Sequence, residues 1–269
     1  MPDRTRVPDR TRRIDRDRTA DRTRLAQLPL PAAWIPLAAN GILLVLLMGA
    51  AVTLAPGITE WEAGVVSGLD AVHSPTLDAA ALAIAFAFSP PVATLLLLGV
   101  VAAQLFVRRA PVNAIAFALV TGAGWVAVQP LTLLFSRPRP YAATMDEAIA
   151  SHLRDDSFPS GHTAVATALV IGCAVLARRR RTAVIGVGAL VVLIVGASRL
   201  YAGAHYPSDV LAGAVLAASA CLGAAGLWNA IGMPVLRRLR VLSAFGPVPA
   251  PQTGPRQHRQ TFVSPRASH

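Results

Sequence analysis

From Leu25 onward, long apolar runs alternate with short polar clusters, and this spacing sets the expected architecture. No charge occurs between Leu25 and Thr59, nor between Ala79 and Val107. A helix needs about 20 consecutive apolar residues to cross a bilayer. On that scale the pattern predicts spans near 34–54, 92–107, 112–134, 160–178, 183–197 and 208–228. Ser89-Pro90-Pro91 interrupts the second charge-free run. It predicts an interfacial or partly inserted helix before the prolines and a span after them. Pro36 and Pro207 stand near predicted helix starts, where proline is tolerated. The expected fold is therefore all-α: a polytopic membrane bundle of six transmembrane helices over residues 31–230.

Composition supports this class. The chain is 54% hydrophobic and only 14% charged, with a mean hydropathy of +0.52. Soluble domains carry about 25% charged residues. All 25 basic residues are arginine, and the net charge is +11. Nine arginines and five aspartates are interleaved in the first 24 residues. With no zinc-finger spacing and no aromatic stacking pattern, this tail is not read as a nucleic-acid arm. Residues 1–30 are expected to be a disordered cytoplasmic tail that helps fix orientation, and they lack the layout of a secretory signal peptide. Residues 231–269 are expected to be a second disordered basic tail. Cys173 and Cys221 fall inside apolar runs and read as small hydrophobes, neither a disulfide nor a metal pair.

Six spans can be tested against the tendency of arginine to stay on the cytoplasmic side. With both termini inside, Arg108-Arg109, Arg178–Arg181 and Arg237–Arg240 all fall inside. Only Arg137, Arg139, Arg154 and Arg199 fall outside, together with every acidic residue beyond the N-terminal tail. The same alternation gathers three polar clusters on the outer face: Ser136-Arg137-Pro138-Arg139-Pro140-Tyr141, Phe158-Pro159-Ser160-Gly161-His162-Thr163 and the stretch from Ser198 to Asp209.

Each cluster suits phosphate. His205 and Asp209 are four apart and would share a helical face. A carboxylate on one imidazole nitrogen fixes the tautomer and leaves the other free to attack. Ser160 is a plausible N-cap, and Gly161 permits close backbone approach, so the free N–H groups there form an anion site. His162 sits at that start, placed to protonate a leaving oxygen, with Asp155 and Asp156 nearby. Arg137, Arg139 and Arg199 offer guanidinium forks that match phosphate oxygens. Taken singly, an arginine beside a span is usually a topology anchor and a lone histidine is usually structural. Ordinary anchors, however, would place the arginines inside. Zinc is disfavoured because the flanking arginines repel a cation and no HxxxH or HExxH spacing occurs.

These residues resemble the type 2 phosphatidic acid phosphatase (PAP2) superfamily, the integral-membrane lipid phosphate phosphatases. That family carries Lys-x6-Arg-Pro, Pro-Ser-Gly-His and Ser-Arg-x5-His-x3-Asp. Here Pro159-Ser160-Gly161-His162 is complete, as is Ser198-Arg199 with His205 and Asp209. Arg139-Pro140 ends the first signature, but Thr132 stands where the family has its phosphate-contacting lysine. The resemblance spans roughly Val92 to Trp228. It implies a phosphatase that needs no metal or other cofactor. His205 would be the nucleophile, His162 the acid and Asp209 the orienting carboxylate. Arg139, Arg199, Arg137, Ser160 and Gly161 would hold the phosphate. The implied partner is a membrane lipid phosphate or polyprenyl diphosphate; no nucleic acid and no obligate protein partner is expected. The implied location is the plasma membrane, with the site on the extracytoplasmic face. Three alternatives stay open at this point: a lipid phosphotransferase using the same site, a catalytically impaired scaffold, and a transporter.

Overall fold

The computed structural model describes residue 28 and residues 30–140, 156–177 and 180–238. Much of both predicted tails, most of the segment 141–157 and the side chains of Arg154, Asp155, Arg178 and Arg240 lie outside the described residues. Among those described, every regular element is helical. The principal helices are α1 (Trp34–Leu54), α2 (Pro56–Ser67), α3 (Pro75–Ala87), α4 (Pro90–Ala102), α5 (Pro111–Val126), α6 (Val128–Phe135), α7 (Gly161–Leu176), α8 (Arg181–Tyr201), α9 (Pro207–Leu227) and α10 (Met233–Arg238). Short π-helical turns at Ala103–Val107 and Trp228–Gly232 extend α4 and join α9 to α10.

Proline punctuates the chain, at Pro90 and Pro207 where the sequence predicts a helix start and at three further starts. Five helices open on it: Pro56, Pro75, Pro90, Pro111 and Pro207. At that position its missing N–H has no helical partner to lose and its fixed φ is already helical. Pro130 acts differently. It lies three residues past Ala127, where α5 gives way to α6. Proline inside a helix removes a hydrogen bond and clashes with the preceding turn.

Among the described residues, five segments are long and apolar enough to cross a membrane: Trp34–Leu54, Pro90–Val107, Pro111–Phe135, Arg181–Tyr201 and Pro207–Leu236. The remaining predicted span, α7, is apolar but has 16 residues. At 1.5 Å per residue it is about 24 Å long, short of the roughly 30 Å hydrocarbon thickness. Its position explains why. α7 packs against α5, α8 and α9, while α9 packs against α1, α5 and α7. Thr163 to Ala168 are all buried. α7 is thus enclosed by other helices, while Leu95, Leu133, Val187 and Leu193 on the longer helices are exposed apolar side chains suited to lipid. The chain is a helical membrane protein.

The close packing is made by small residues. A Cβ on Gly124 would lie 2.5 Å from Cys221 Sγ and 2.9 Å from Ala168 Cβ, where α5, α7 and α9 meet. Gly213 matters more for the site. A Cβ there would lie 2.4 Å from the Ser160 carbonyl oxygen, so only glycine lets α9 pass the start of α7 at this distance.

The polar patch around His73 fastens α3 to the end of α8. The His73 ring stacks on Tyr201, with centroids 4.2 Å apart and planes 18° from parallel. Its Nε2 donates to the Tyr201 carbonyl at 3.0 Å, and the Tyr201 hydroxyl donates to Asp78 Oδ1 at 2.6 Å. This tie holds α3 beside Arg199, whose Nη2 donates to the Ala81 carbonyl at 2.6 Å.

Candidate active site

The three polar clusters come together at one end of the bundle. Three backbone and side-chain bonds stitch them. Ser157 N–H donates to the Arg137 carbonyl at 2.7 Å and its hydroxyl donates to the Pro138 carbonyl at 3.3 Å. Ser160 N–H donates to the Asp209 carbonyl at 2.9 Å. The segment before α7 is therefore strapped to the arginine segment on one side and to the start of α9 on the other.

His205 is buried at this junction, 1% exposed. Its Nδ1 lies 2.8 Å from the Ser157 carbonyl. A carbonyl only accepts, so Nδ1 carries the proton. Nε2 lies 3.3 Å from Arg139 Nη1, which only donates, so Nε2 presents its lone pair. Both contacts select the same tautomer. Burial pushes the His205 ring below its ordinary value of 6.5, and the charge of Arg139 acts in the same direction. Asp209 and the Ser157 carbonyl oppose them.

Asp209 occupies a different place from the one the four-residue spacing suggests. Its Oδ2 is 3.8 Å from His205 Nδ1, beyond hydrogen-bond reach. The carboxylate accepts instead from Tyr206 N–H at 2.8 Å and from Arg137 Nη1 at 2.7 Å. The direct orienting group on the ring is the Ser157 carbonyl, which side-chain patterns cannot reveal.

Arg137 also departs from the expectation of a phosphate donor. Its guanidinium is buried and faces away from that task. Nη1 donates to Asp209 and, at 2.9 Å, to Ser208 Oγ; Nη2 donates to Glu62 Oε2 at 2.7 Å and to Thr59 Oγ1 at 2.9 Å. Tyr206 stacks its ring 3.9 Å from the guanidinium carbon. Ser160 likewise has its groups committed. Its N–H goes to Asp209, and its hydroxyl accepts from Thr163 N–H at 3.5 Å and Thr163 Oγ1 at 3.1 Å, as an N-cap does. The N–H groups of Gly161 and His162 belong to the first turn, where the helix itself supplies no acceptor. A Cβ added to Gly161 would meet nothing within 4 Å, so this start opens onto space.

His162, at the second position of α7, is half-buried. It faces the Ala85 carbonyl and lies within electrostatic range of Arg199, His205 and Arg139. Arg139 donates through Nη1 to the Ala204 carbonyl at 3.1 Å as well as meeting His205. Arg199 also donates through Nε to Ser198 Oγ at 3.3 Å. Thr132 lies in α6 with its hydroxyl donating to the Val128 carbonyl of its own helix at 3.2 Å. Asp156 is the described member of the acidic pair before Ser157, and no metal-binding group of three or more His, Cys, Asp or Glu occurs among the described residues.

The arrangement has two sides. In front of His205 Nε2 is Arg139, and His162, at the start of α7, lies within electrostatic range of His205, Arg139 and Arg199, a cationic neighbourhood. Behind Nδ1 are Ser157, Asp209, Arg137 and Glu62. Glu62 was not among the residues singled out from sequence, although it is 3% exposed and bonded to Arg137.

Fold and site together define a helical membrane protein whose paired histidines sit among arginines at one end of the bundle. The family model of the PAP2 superfamily matches residues 111–232, which hold both histidines and all three arginines. The chain is 41% identical over 103 residues to undecaprenyl-diphosphatase BcrC of Bacillus subtilis. It is 32% identical over 107 residues to the putative undecaprenyl-diphosphatase YbjG of Escherichia coli. These matches cover 38% and 40% of this chain and 51% and 52% of the relatives. The chain thus spans about half the length of the curated relatives it matches. Its fold resembles that of a transmembrane PAP2-type phosphatidylglycerolphosphate phosphatase from Bacillus subtilis. The TM-score is 0.62 at 21% identity, covering 72% of this chain and 96% of that one.

Proposed function

We propose that this protein is a metal-independent phosphatase acting on a membrane-anchored polyprenyl diphosphate through a phosphohistidine intermediate. One observation carries the chemistry: Nδ1 of buried His205 donates to Ser157, and Nε2 turns its lone pair toward Arg139. A neutral imidazole held in one tautomer and facing a cationic surface is an activated nucleophile beside an anion site. The two curated relatives are named as undecaprenyl-diphosphatases, and this supports a polyprenyl diphosphate as the substrate class.

In the proposed first step His205 Nε2 attacks the terminal phosphorus. The N–P bond forms as the bond to the bridging oxygen breaks, and His162 gives that oxygen its proton. The negative substrate favours the protonated form of His162. Arg139, Arg199 and the N–H groups of Gly161 and His162 hold the equatorial oxygens, where charge develops. In the second step a water attacks phosphorus, His162 takes its proton, and the P–N bond breaks to release inorganic phosphate. Ser160 and Arg137 act here by support, the first by capping α7 and the second by holding Asp209.

The test is phosphate release from a polyprenyl diphosphate by purified protein with EDTA present. Full activity is expected, and none from His205→Ala recovered as a folded protein. Retained turnover by that variant overturns the nucleophile. Zinc-reversible loss in chelator overturns the metal-free scheme. A phosphorylated alcohol appearing in place of free phosphate would mark a phosphotransferase.

A further inference from the structure

Behind His205 lies a buried charge cluster that the scheme above uses only in part. Arg137 is a single cation bonded to two carboxylates, Glu62 and Asp209, each at 2.7 Å. An Arg137–Asp209 pair alone would be neutral. Glu62 gives the cluster one net negative charge, and all three side chains are almost fully buried. Burying charges is costly, and an extra unbalanced carboxylate is a poor device for stability.

We propose that Glu62 is a positioning residue for catalysis: its carboxylate completes a net-negative Glu62–Arg137–Asp209 cluster that favours positive charge on the His205 ring. The proposal rests on the phosphohistidine reading. When Nε2 bonds to phosphorus, Nδ1 keeps its proton and the ring becomes cationic. Arg139 after α6 works against that charge. His162 on α7, which has given up its proton by then, and Arg199 on α8 lie nearby. The groups behind the ring are Arg137, Asp209 on α9, Tyr206 at the start of α9, and Glu62 on α2, which acts through Arg137. With Arg137 neutralising one carboxylate, the second is what leaves this side negative.

Glu62 also sets geometry. Its Oε1 accepts from Ser208 N–H at 2.6 Å and its Oε2 from Ser208 Oγ at 2.8 Å. It thereby caps the first turn of α9 one residue before Asp209. A carboxylate there is also favoured by the helix dipole.

The experiment measures kcat, KM and the pH profile of kcat/KM for hydrolysis of farnesyl diphosphate in detergent micelles. For Glu62→Gln we expect kcat to fall about tenfold or more with KM within about twofold of native, as when an interaction made only as charge develops in the transition state is removed. Loss of the negative charge makes His205 harder to protonate, so the acid limb moves to lower pH. Glu62→Asp, which sets the carboxylate back by one methylene, should fall between native and E62Q in both readouts. An E62Q protein with native kcat, or with reduced kcat and an unmoved acid limb, overturns the proposal. If E62Q is not recovered folded, E62D decides: a native kcat with a native limb overturns it, and a partial loss with a partial shift supports it. Turnover by His205→Ala in the same assay would instead sink the phosphohistidine reading beneath it.

Discussion

His205 takes its reactivity from its neighbours, and the consequence can be read in a pH profile. Burial lowers the affinity of its ring for protons below the ordinary value of 6.5. The proposed reaction needs a lone pair on Nε2, which protonation removes. Activity should therefore persist as pH falls past 6.5 and be lost only through the lowered value. A pH profile of kcat/KM reports the free enzyme. An acid limb at or above 6.5 would mean that the ring is more solvated than its burial implies. The residues of this site were unequally legible in the sequence. His162, His205, Arg139 and Arg199 stand at fixed spacings beside apolar runs, and their meeting at one end of the bundle could be read from that. Arg137 looked identical to Arg139 because it is two residues away in the same Arg-Pro repeat. A two-residue step reverses nothing in the sequence, yet one guanidinium meets Nε2 and the other meets Asp209 behind the ring. Glu62 could not be found at all. Its partners Arg137 and Ser208 are 75 and 146 residues away along the chain, and no local pattern encodes such a contact.

The helices explain why these residues stay together. The prolines and the apolar runs announced most helix starts, but not which helix would lie in the middle. That place went to α7, the shortest candidate, whose small residues let α5, α8 and α9 close around it. The contact that joins α7 to α9 at the site is Gly213 against the Ser160 carbonyl. The same junction includes the hydrogen bond from Ser160 N–H to the Asp209 carbonyl. Gly213→Ala places a methyl group where backbone already stands, and backbone cannot give way as a flexible side chain does. Overpacking of this kind costs about 1–3 kcal/mol. We expect a thermal midpoint lowered by several degrees. We also expect kcat reduced by about tenfold, because α9 carries Asp209 and α7 carries His162, and small misplacements at a reacting centre are costly. An active, native-like G213A protein would show that α9 can shift without disturbing the site. The glycine was visible in the sequence, but its meaning depends on which backbone passes it.

For the whole molecule, the arrangement of charge across the bundle should decide which side of the membrane the site faces. His162, His205, Arg139, Arg199 and the Glu62 cluster share one end. Arg108 and Arg109, between α4 and α5, and Arg180 and Arg181, at the start of α8, stand at the opposite ends of their helices. Arginine-rich connections remain in the cytoplasm during insertion, whereas acidic residues contribute little to orientation. The end bearing Arg108-Arg109 should therefore be cytoplasmic, and the histidine end should face outward, where the proposed lipid-anchored diphosphate would reach it from the bilayer. Exposed positions at each end allow a direct check. In a background with Cys173 and Cys221 replaced by alanine, single cysteines at Ser67 on α2 and at Arg109 report opposite sides. A membrane-impermeant maleimide applied to intact cells should label Ser67→Cys and spare Arg109→Cys until the cells are opened. Labelling of Arg109→Cys from outside would place the site on the cytoplasmic face. The substrate would then have to come from the inner leaflet.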